Sequence, residues 1–173
     1  MMHLFLDIDG VLNRYYLNLG CIIIQGTPER WRSCIGMDRY LVDNLNSVLD
    51  TVEMKIVISS SWMYNKNTLR ALKHFGFTHL DKIVGGTYKR LSGRGNQIIE
   101  YLDEHGINDF VIVDDEVNDI VGDHESVTNE VRNRLSPYVL KTNMYQGLTE
   151  DKCIELLNLI GEDNEKTKRI QPD

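Results

Sequence analysis

His3-Leu4-Phe5-Leu6-Asp7-Ile8-Asp9-Gly10 runs from an apolar stretch into two acids and a glycine, and this pattern decides the fold. Short apolar runs bounded by polar residues and separated by helical patterns read as buried strands of a parallel sheet. Two more runs of the same kind follow. Lys55-Ile56-Val57-Ile58 ends in Ser59-Ser60-Ser61, and Phe110-Val111-Ile112-Val113 ends in Asp114-Asp115. Open parallel sheets take their ligands at the carboxyl ends of their strands. Three such ends would bring four carboxylates and a group of hydroxyls to one edge.

The intervening segments carry helical periodicity. Leu41, Leu45, Val48, Leu49 and Val52 mark an amphipathic helix over 38–52. A shorter helix is expected over 68–75, stopped by Gly76, and another over 96–105, with Ile98, Ile99 and Leu102 inward and Gly106 at its end. Thr149 caps a last helix, Glu150 and Asp151 suit its positive end, and Gly161 reads as its stop. Ile83-Val84 reads as a short strand broken by Gly85-Gly86, and 137–140 as a final strand. Residues 13–36, with Tyr15, Tyr16, Trp31 and a turn at 26–28, read as a flap. Residues 116–136 read as a polar loop with one short helix, and 162–173 as a frayed polar tail. The expected architecture is α/β: a Rossmann-like three-layer sandwich with a mostly parallel sheet, formed by one catalytic domain over 1–161.

With 173 residues, a net charge of -7 and 42% hydrophobic residues, the chain suits a soluble globular domain. A domain of this size buries roughly 70% of the surface its unfolded chain exposes. No apolar stretch reaches the ~20 residues of a membrane span, and the first residues lack the pattern of a signal peptide. Cys21, Cys34 and Cys153 are odd in number and widely spaced, which favours reduced core thiols and a cytoplasmic location. Net negative charge argues against strong non-specific nucleic-acid binding, which needs many phosphate-neutralising Lys and Arg. A single phosphorylated end could still bind in a local pocket.

Asp7 and Asp9 point the same way along an extended backbone. Carboxylates about 4 Å apart repel by roughly 4 kcal/mol at an effective dielectric near 20, so a cation or a shared proton must compensate. A strand running into a polar Asp-Gly turn is the bland alternative. Asp114 and Asp115 add to the same need, because hard oxygen ligands suit Mg²⁺. Asp119 in the same acidic loop is a candidate support for them. Ser59, Ser60 and Ser61 can hold phosphate oxygens at a strand-to-helix turn, although serines also cap helices everywhere. Arg94, Lys89 or Arg90 would supply the positive charge that a phosphate requires. Trp62 and the Tyr15-Tyr16 pair read as core or flap packing. The five histidines show no metal-binding spacing, and neither a GxSxG elbow nor a GxxxxGK[ST] loop is present.

In this order, Phe5-Leu6-Asp7-Ile8-Asp9-Gly10-Val11-Leu12, the serine-ended strand, the basic residue before a helix and Asp114-Asp115 resemble the haloacid dehalogenase (HAD) superfamily of phosphohydrolases. The resemblance covers about residues 3–160. Ile58-Ser59-Ser60-Ser61-Trp62 and Gly147-Leu148-Thr149 further resemble HAD domains associated with RNA-repair proteins. The resemblance implies that Asp7 is the nucleophile and that Asp9 protonates the leaving oxygen and then activates water. It implies that Asp7, Asp9 through its carbonyl, Asp114 and Asp115 form the Mg²⁺ site, and that Ser60 or Ser59 and Arg94 bind phosphate. Large-cap members insert a whole domain after the first or second motif, and residues 13–36 leave room only for a flap. An open site suits a large substrate, such as a phosphorylated polynucleotide end, or needs a partner to close it; a nucleotide or another small phosphate is the alternative. Two other classes compete. A signalling receiver would place its acid pair on the first strand and a lone phosphoacceptor Asp on a middle strand, the reverse of this order. A non-catalytic phosphate- or partner-binding module on the same fold would keep its ligand when Asp7 is replaced.

Overall fold

The computed structural model describes residues 1–14, 36–64, 66–87 and 93–170, with the backbone alone at 64 and 162–170. Five strands form one sheet: β1 (Met2–Leu6), β2 (Met54–Ile58), β3 (Ile83–Gly86), β4 (Phe110–Asp114) and β5 (Val139–Lys141). All pairings are parallel, in the order β3-β2-β1-β4-β5. The helices are α1 (Arg39–Thr51), α2 (Thr68–His74), α3 (Arg94–His105), α4 (Asn129–Leu135) and α5 (Glu150–Ile170).

Alternation along each strand builds a core on both faces. Leu4, Leu6, Ile56, Ile58, Val111 and Val113 join one cluster with side chains of α1, α2 and α5. Phe5, Val57, Phe110 and Ile112 join the other with Ile98, Leu102, Val131 and Leu135 of α3 and α4. A strand buried on both faces must be apolar at every position, which is why these runs show no polar alternation.

The sheet's register sets the functional edge. Leu6 pairs with Ile58 on one side and with Val113 on the other. Hydrogen bonding continues past the strand ends: Asp7 N–H donates to the Val113 carbonyl at 3.0 Å and Ser59 N–H to the Leu6 carbonyl at 2.8 Å. Further out, Thr87 N–H donates to the Ile58 carbonyl at 3.0 Å and Thr142 N–H to the Asp114 carbonyl at 2.9 Å. Asp7, Ser59 and Asp114 therefore sit side by side. The strand order reverses direction at β1, the switch point where such sheets bind ligands.

Several boundaries differ from expectation for physical reasons. Gly85 and Gly86 belong to β3 instead of breaking it, because their neighbours leave no room for a side chain. A Cβ on Gly86 would lie 2.8 Å from the Ile58 carbonyl oxygen, and one on Gly85 2.7 Å from the Tyr101 hydroxyl. Pro137 lies in a 3-10 turn, Ser136–Tyr138, rather than in the last strand, since proline has no N–H to give a ladder. Helix α5 passes through Gly161, where a Cβ would meet nothing within 4 Å, and continues to Ile170. An exposed helical glycine costs only about 1 kcal/mol against alanine, so it need not end a helix. Residues 116–136 hold α4, capped by the Thr128 side chain. The bulk of the expected flap, including Tyr15, Tyr16 and Trp31, lies outside the described residues, as do Cys21 and Cys34. Cys153 is a free, buried thiol.

The loop after β5 returns to the turn after β1. Thr142 Oγ1 donates to the Gly10 carbonyl at 2.9 Å, and Leu148 N–H donates to the Val11 carbonyl at 2.9 Å. The Leu148 carbonyl in turn accepts from Asn44 Nδ2 at 2.9 Å. Gly147 makes this approach possible: its φ is +68°, and a Cβ there would lie 2.3 Å from Leu41 Cδ1 and 2.8 Å from the Val11 carbonyl oxygen. Gly147→Ala is therefore expected to destabilise the fold by about 2–5 kcal/mol, combining left-handed strain with overpacking. Urea denaturation of wild type and variant checks this, and an unchanged midpoint would refute the clamp.

Candidate active site

Two carboxylates from adjacent strand ends, Asp7 and Asp114, are almost fully buried, at 4% and 0% exposure. Arg94 bridges them, with Nη1 at 2.5 Å from Asp114 Oδ2 and 3.2 Å from Asp7 Oδ1. The Ser60 side chain and Ile8 N–H hydrogen-bond to the Asp7 carboxylate. Glu116 N–H donates to Asp114 Oδ1 at 2.9 Å. Asp115 packs over Gly10, where an added Cβ would fall 2.2 Å from the Asp115 Cγ, so only glycine leaves room for this acid. Gly10 also needs its φ of +68°, which L side chains adopt only with strain.

The start of α3 delivers Arg94. Gly93 precedes the helix with no side-chain cap of its own, and Asp119 supplies what is missing. Asp119 Oδ2 accepts from Arg94 N–H at 3.2 Å, and its carbonyl accepts from Gly95 N–H at 2.9 Å. Those first helical N–H groups have no partner within the helix. This outside cap explains why α3 begins at Arg94 rather than at Asn96. Asp119, a candidate support for the metal acids, holds the guanidinium's helix instead.

Charge in the cluster is unbalanced. Among the described residues, Arg94 is the cation ion-paired with it, facing Asp7, Asp114 and Asp115. Burial pushes the Asp7 carboxyl from its ordinary 3.8 up to about 6, with Arg94 and Ser60 pulling the other way. Burial and the charge of Asp7 push Asp114 up to about 8, again against Arg94. Burial also raises Asp115. Burial opposes the charge of Arg94, but Asp7 and Asp114 outweigh it and hold the guanidinium firmly protonated. Two buried acids sharing one guanidinium retain a proton between them unless another cation enters.

The donor set fits a divalent cation. One oxygen from each of Asp7, Asp114 and Asp115 lies within 4.8 Å of the others. Once all three carboxyls are ionised, one guanidinium leaves an excess of two negative charges, and hard oxygens suit Mg²⁺. The Asp9 carboxylate stands outside this group, on the exposed side. Its two oxygens are held separately: Asn13 Nδ2 donates to Oδ1 at 2.7 Å and Trp62 Nε1 to Oδ2 at 2.9 Å.

The structure separates the candidate serines. Ser60 reaches Asp7, whereas the buried Ser59 hydroxyl lies 3.5 Å from Thr87 Oγ1. Of the three basic candidates, Arg94 is in the cluster, and Lys89 and Arg90 lie outside the described residues. Sequence reasoning missed Asn13 and the polar use of Trp62. The Trp62 ring is buried, as expected for packing, and its N–H points at Asp9. A buried indole N–H needs an acceptor, a signal that could have exposed the pairing. Asn13 follows Asp9 by one turn of chain, close enough for a local side-chain bond.

A parallel α/β sheet with this acid cluster at its switch point defines a phosphatase-type hydrolase fold of the HAD class. The chain belongs to the family described as the HAD domain in Swiss Army Knife RNA repair proteins, whose model matches residues 3–153. No curated protein and no solved structure matches the chain. Among the described residues, no helix is long and apolar enough to cross a membrane.

Asp7 and Asp114 keep protons in the folded chain at pH values where unfolded carboxyls, at 3.8, have lost theirs. The folded state then binds more protons, so this pair's contribution to stability declines as pH rises from about 4 to about 8. Metal binding must expel those protons, so affinity rises over the same range. The melting-temperature increment from added Mg²⁺ is expected to grow from about pH 5 to about pH 8 and to shrink in Asp7→Asn. Thermal scans across that range check it. An increment independent of pH would separate these acids from the metal.

Proposed function

We propose that this protein is a Mg²⁺-dependent phosphomonoester hydrolase acting through an aspartyl-phosphate on Asp7. The observation that carries the reading is the surrounding of the Asp7 carboxylate: buried, beside Arg94 and Ser60, within reach of two further acids, with Asp9 two residues away on the open side. A carboxylate is a weak nucleophile and needs opposite charge close to the phosphate it attacks. In this reading Arg94 and the Ser60 hydroxyl bind phosphate oxygens, and Gly10 makes room for Asp115.

In the first step an Asp7 oxygen forms a bond to phosphorus as the bond to the leaving oxygen breaks. Asp9 gives that oxygen its proton. In the second step Asp9, now a carboxylate, takes a proton from water as the water oxygen attacks phosphorus and releases Asp7. Bound at Asp7, Asp114, Asp115 and the Asp9 carbonyl, Mg²⁺ would neutralise charge on the carboxylates and the transferring phosphoryl group. Asp7 must be ionised to attack, and the same charge balance that admits the cation ionises it.

The family's description points to RNA repair, which supports a phosphorylated polynucleotide end as substrate ahead of a free nucleotide. The stretch between Asn13 and Met37 is too short to hold a whole inserted domain, which suits a large substrate. Asp7→Asn is expected to lower phosphate release by at least about 10³-fold while leaving the fold intact, because it removes the nucleophile and relieves buried charge. Asp9→Asn should also abolish release. The assay compares oligonucleotides phosphorylated at the 3′ or 5′ end with nucleoside monophosphates and sugar phosphates, with Mg²⁺ and with chelator. A folded Asp7→Asn protein that retains turnover refutes the nucleophile. A wild type that binds these ligands but releases no phosphate makes the domain a binding module.

A further inference from the structure

We propose that Trp62 is a positioning residue that aims the Asp9 carboxylate at the leaving oxygen, a role that rests on the phosphatase reading above. A carboxylate's terminal torsion is broad and two-fold, so an exposed aspartate ordinarily samples many orientations. Asp9 is exposed yet gripped from both sides. Asn13 belongs to the same turn, and its amide is fixed at both ends: Nδ2 donates to Asp9 Oδ1, and its Oδ1 accepts from Gly10 N–H at 2.9 Å. Trp62 comes from the turn after β2 and reaches the opposite oxygen. One donor alone would let the carboxylate swing, whereas two opposed donors fix its plane. Each oxygen offers about two lone pairs, so each keeps a site free for a proton or a substrate.

The tryptophan is itself held rigidly. Its ring packs in the core cluster beneath the sheet. Its backbone N–H donates to Ser60 Oγ at 3.4 Å, and its carbonyl accepts from the buried Thr68 Oγ1 at 2.5 Å, at the start of α2. The residue that bonds Asp7, Ser60, and the residue that bonds Asp9, Trp62, thus stand on one short turn. That turn, which follows β2, thus bonds both acids that follow β1 and keeps them in fixed relation. A general acid must lie within about 2.6–3.2 Å of the atom it protonates, so its orientation enters the rate directly.

Proton donation matters most when the leaving oxygen is a poor leaving group, as in an alkyl phosphate, and least for p-nitrophenyl phosphate, whose phenolate departs readily. Trp62→Phe keeps an aromatic ring and removes the N–H together with part of the indole's volume. Its kcat on an alkyl monoester is expected to fall at least about tenfold further than its kcat on p-nitrophenyl phosphate, with little change in KM. An independent readout needs no turnover. Of the protein's two indole N–H resonances in NMR, the one missing from Trp62→Phe should shift in Asp9→Ala. Equal losses on both substrates, or an indole resonance unmoved by Asp9→Ala, would overturn the role. Should Trp62→Phe not fold, Asn13→Ala removes the opposite donor and must show the same selective loss. A wild type inactive on both substrates refutes the phosphatase reading itself, whereas an active wild type with unselective variants refutes only the positioning by Trp62.

Discussion

Everything at the functional edge depends on β1 being paired on both sides. Because Leu6 stands level with Ile58 and with Val113, the residues that follow each strand end level with one another. A slip of one residue in either ladder would turn a whole strand's side chains to the opposite face. The apolar cores on the two faces forbid such a slip, since each contains alternate residues of the same strands. The position of Asp7 against Asp114 is thus fixed by side chains that never touch a ligand. The two ladder bonds made just beyond the strands, by Asp7 and Ser59, carry that alignment out to the edge.

Within this frame the site is a place of unresolved charge. Removing a carboxylate from water costs several kcal/mol even after relaxation, and one partner rarely compensates two of them. Arg94 is stretched between Asp7 and Asp114 and cannot satisfy both. Such an arrangement is a poor way to stabilise a fold, and it is one that a further cation would relieve. Other groups support it: Asp119 holds the helix carrying Arg94, Glu116 N–H steadies Asp114, and Gly10 yields its space to Asp115. The attraction for ligands and the cost to stability have one origin.

Most of the architecture was legible because the strands are apolar on both faces and end abruptly in acids or serines. That contrast marks both the element and its functional end, so Asp7, Asp114 and the serines could be read directly. Legibility failed where geometry depends on distant partners. Gly85 and Gly86 look like a break in isolation, and only Tyr101 and the Ile58 carbonyl explain why they remain in a strand. The start of α3 depends on Asp119, from a loop beyond the next strand. Which serine faces Asp7 depends on the rotation of the chain after β2, which a run of three identical residues conceals. Trp62 was hidden for another reason. Its ring satisfies the criterion for a core residue, and apolar periodicity carries no information about a single N–H.

β1 precedes the sheet's other strands in the chain yet lies at its centre, and this has a consequence during synthesis. Domains generally form from the N-terminal end as the chain is synthesised, and pairings between distant segments form slowly. Asp7 leaves the ribosome before its opposing carboxylate, which arrives with β4, and before the bonds that seat Gly10 and Val11, which arrive with Thr142 and Leu148. Until then the first acidic motif lies on a strand with an open edge and lacks its second acid and its clamp. The assembled cluster therefore waits for the segment up to Leu148, and a nascent chain short of it carries the Asp7 carboxylate without its second acid and its clamp.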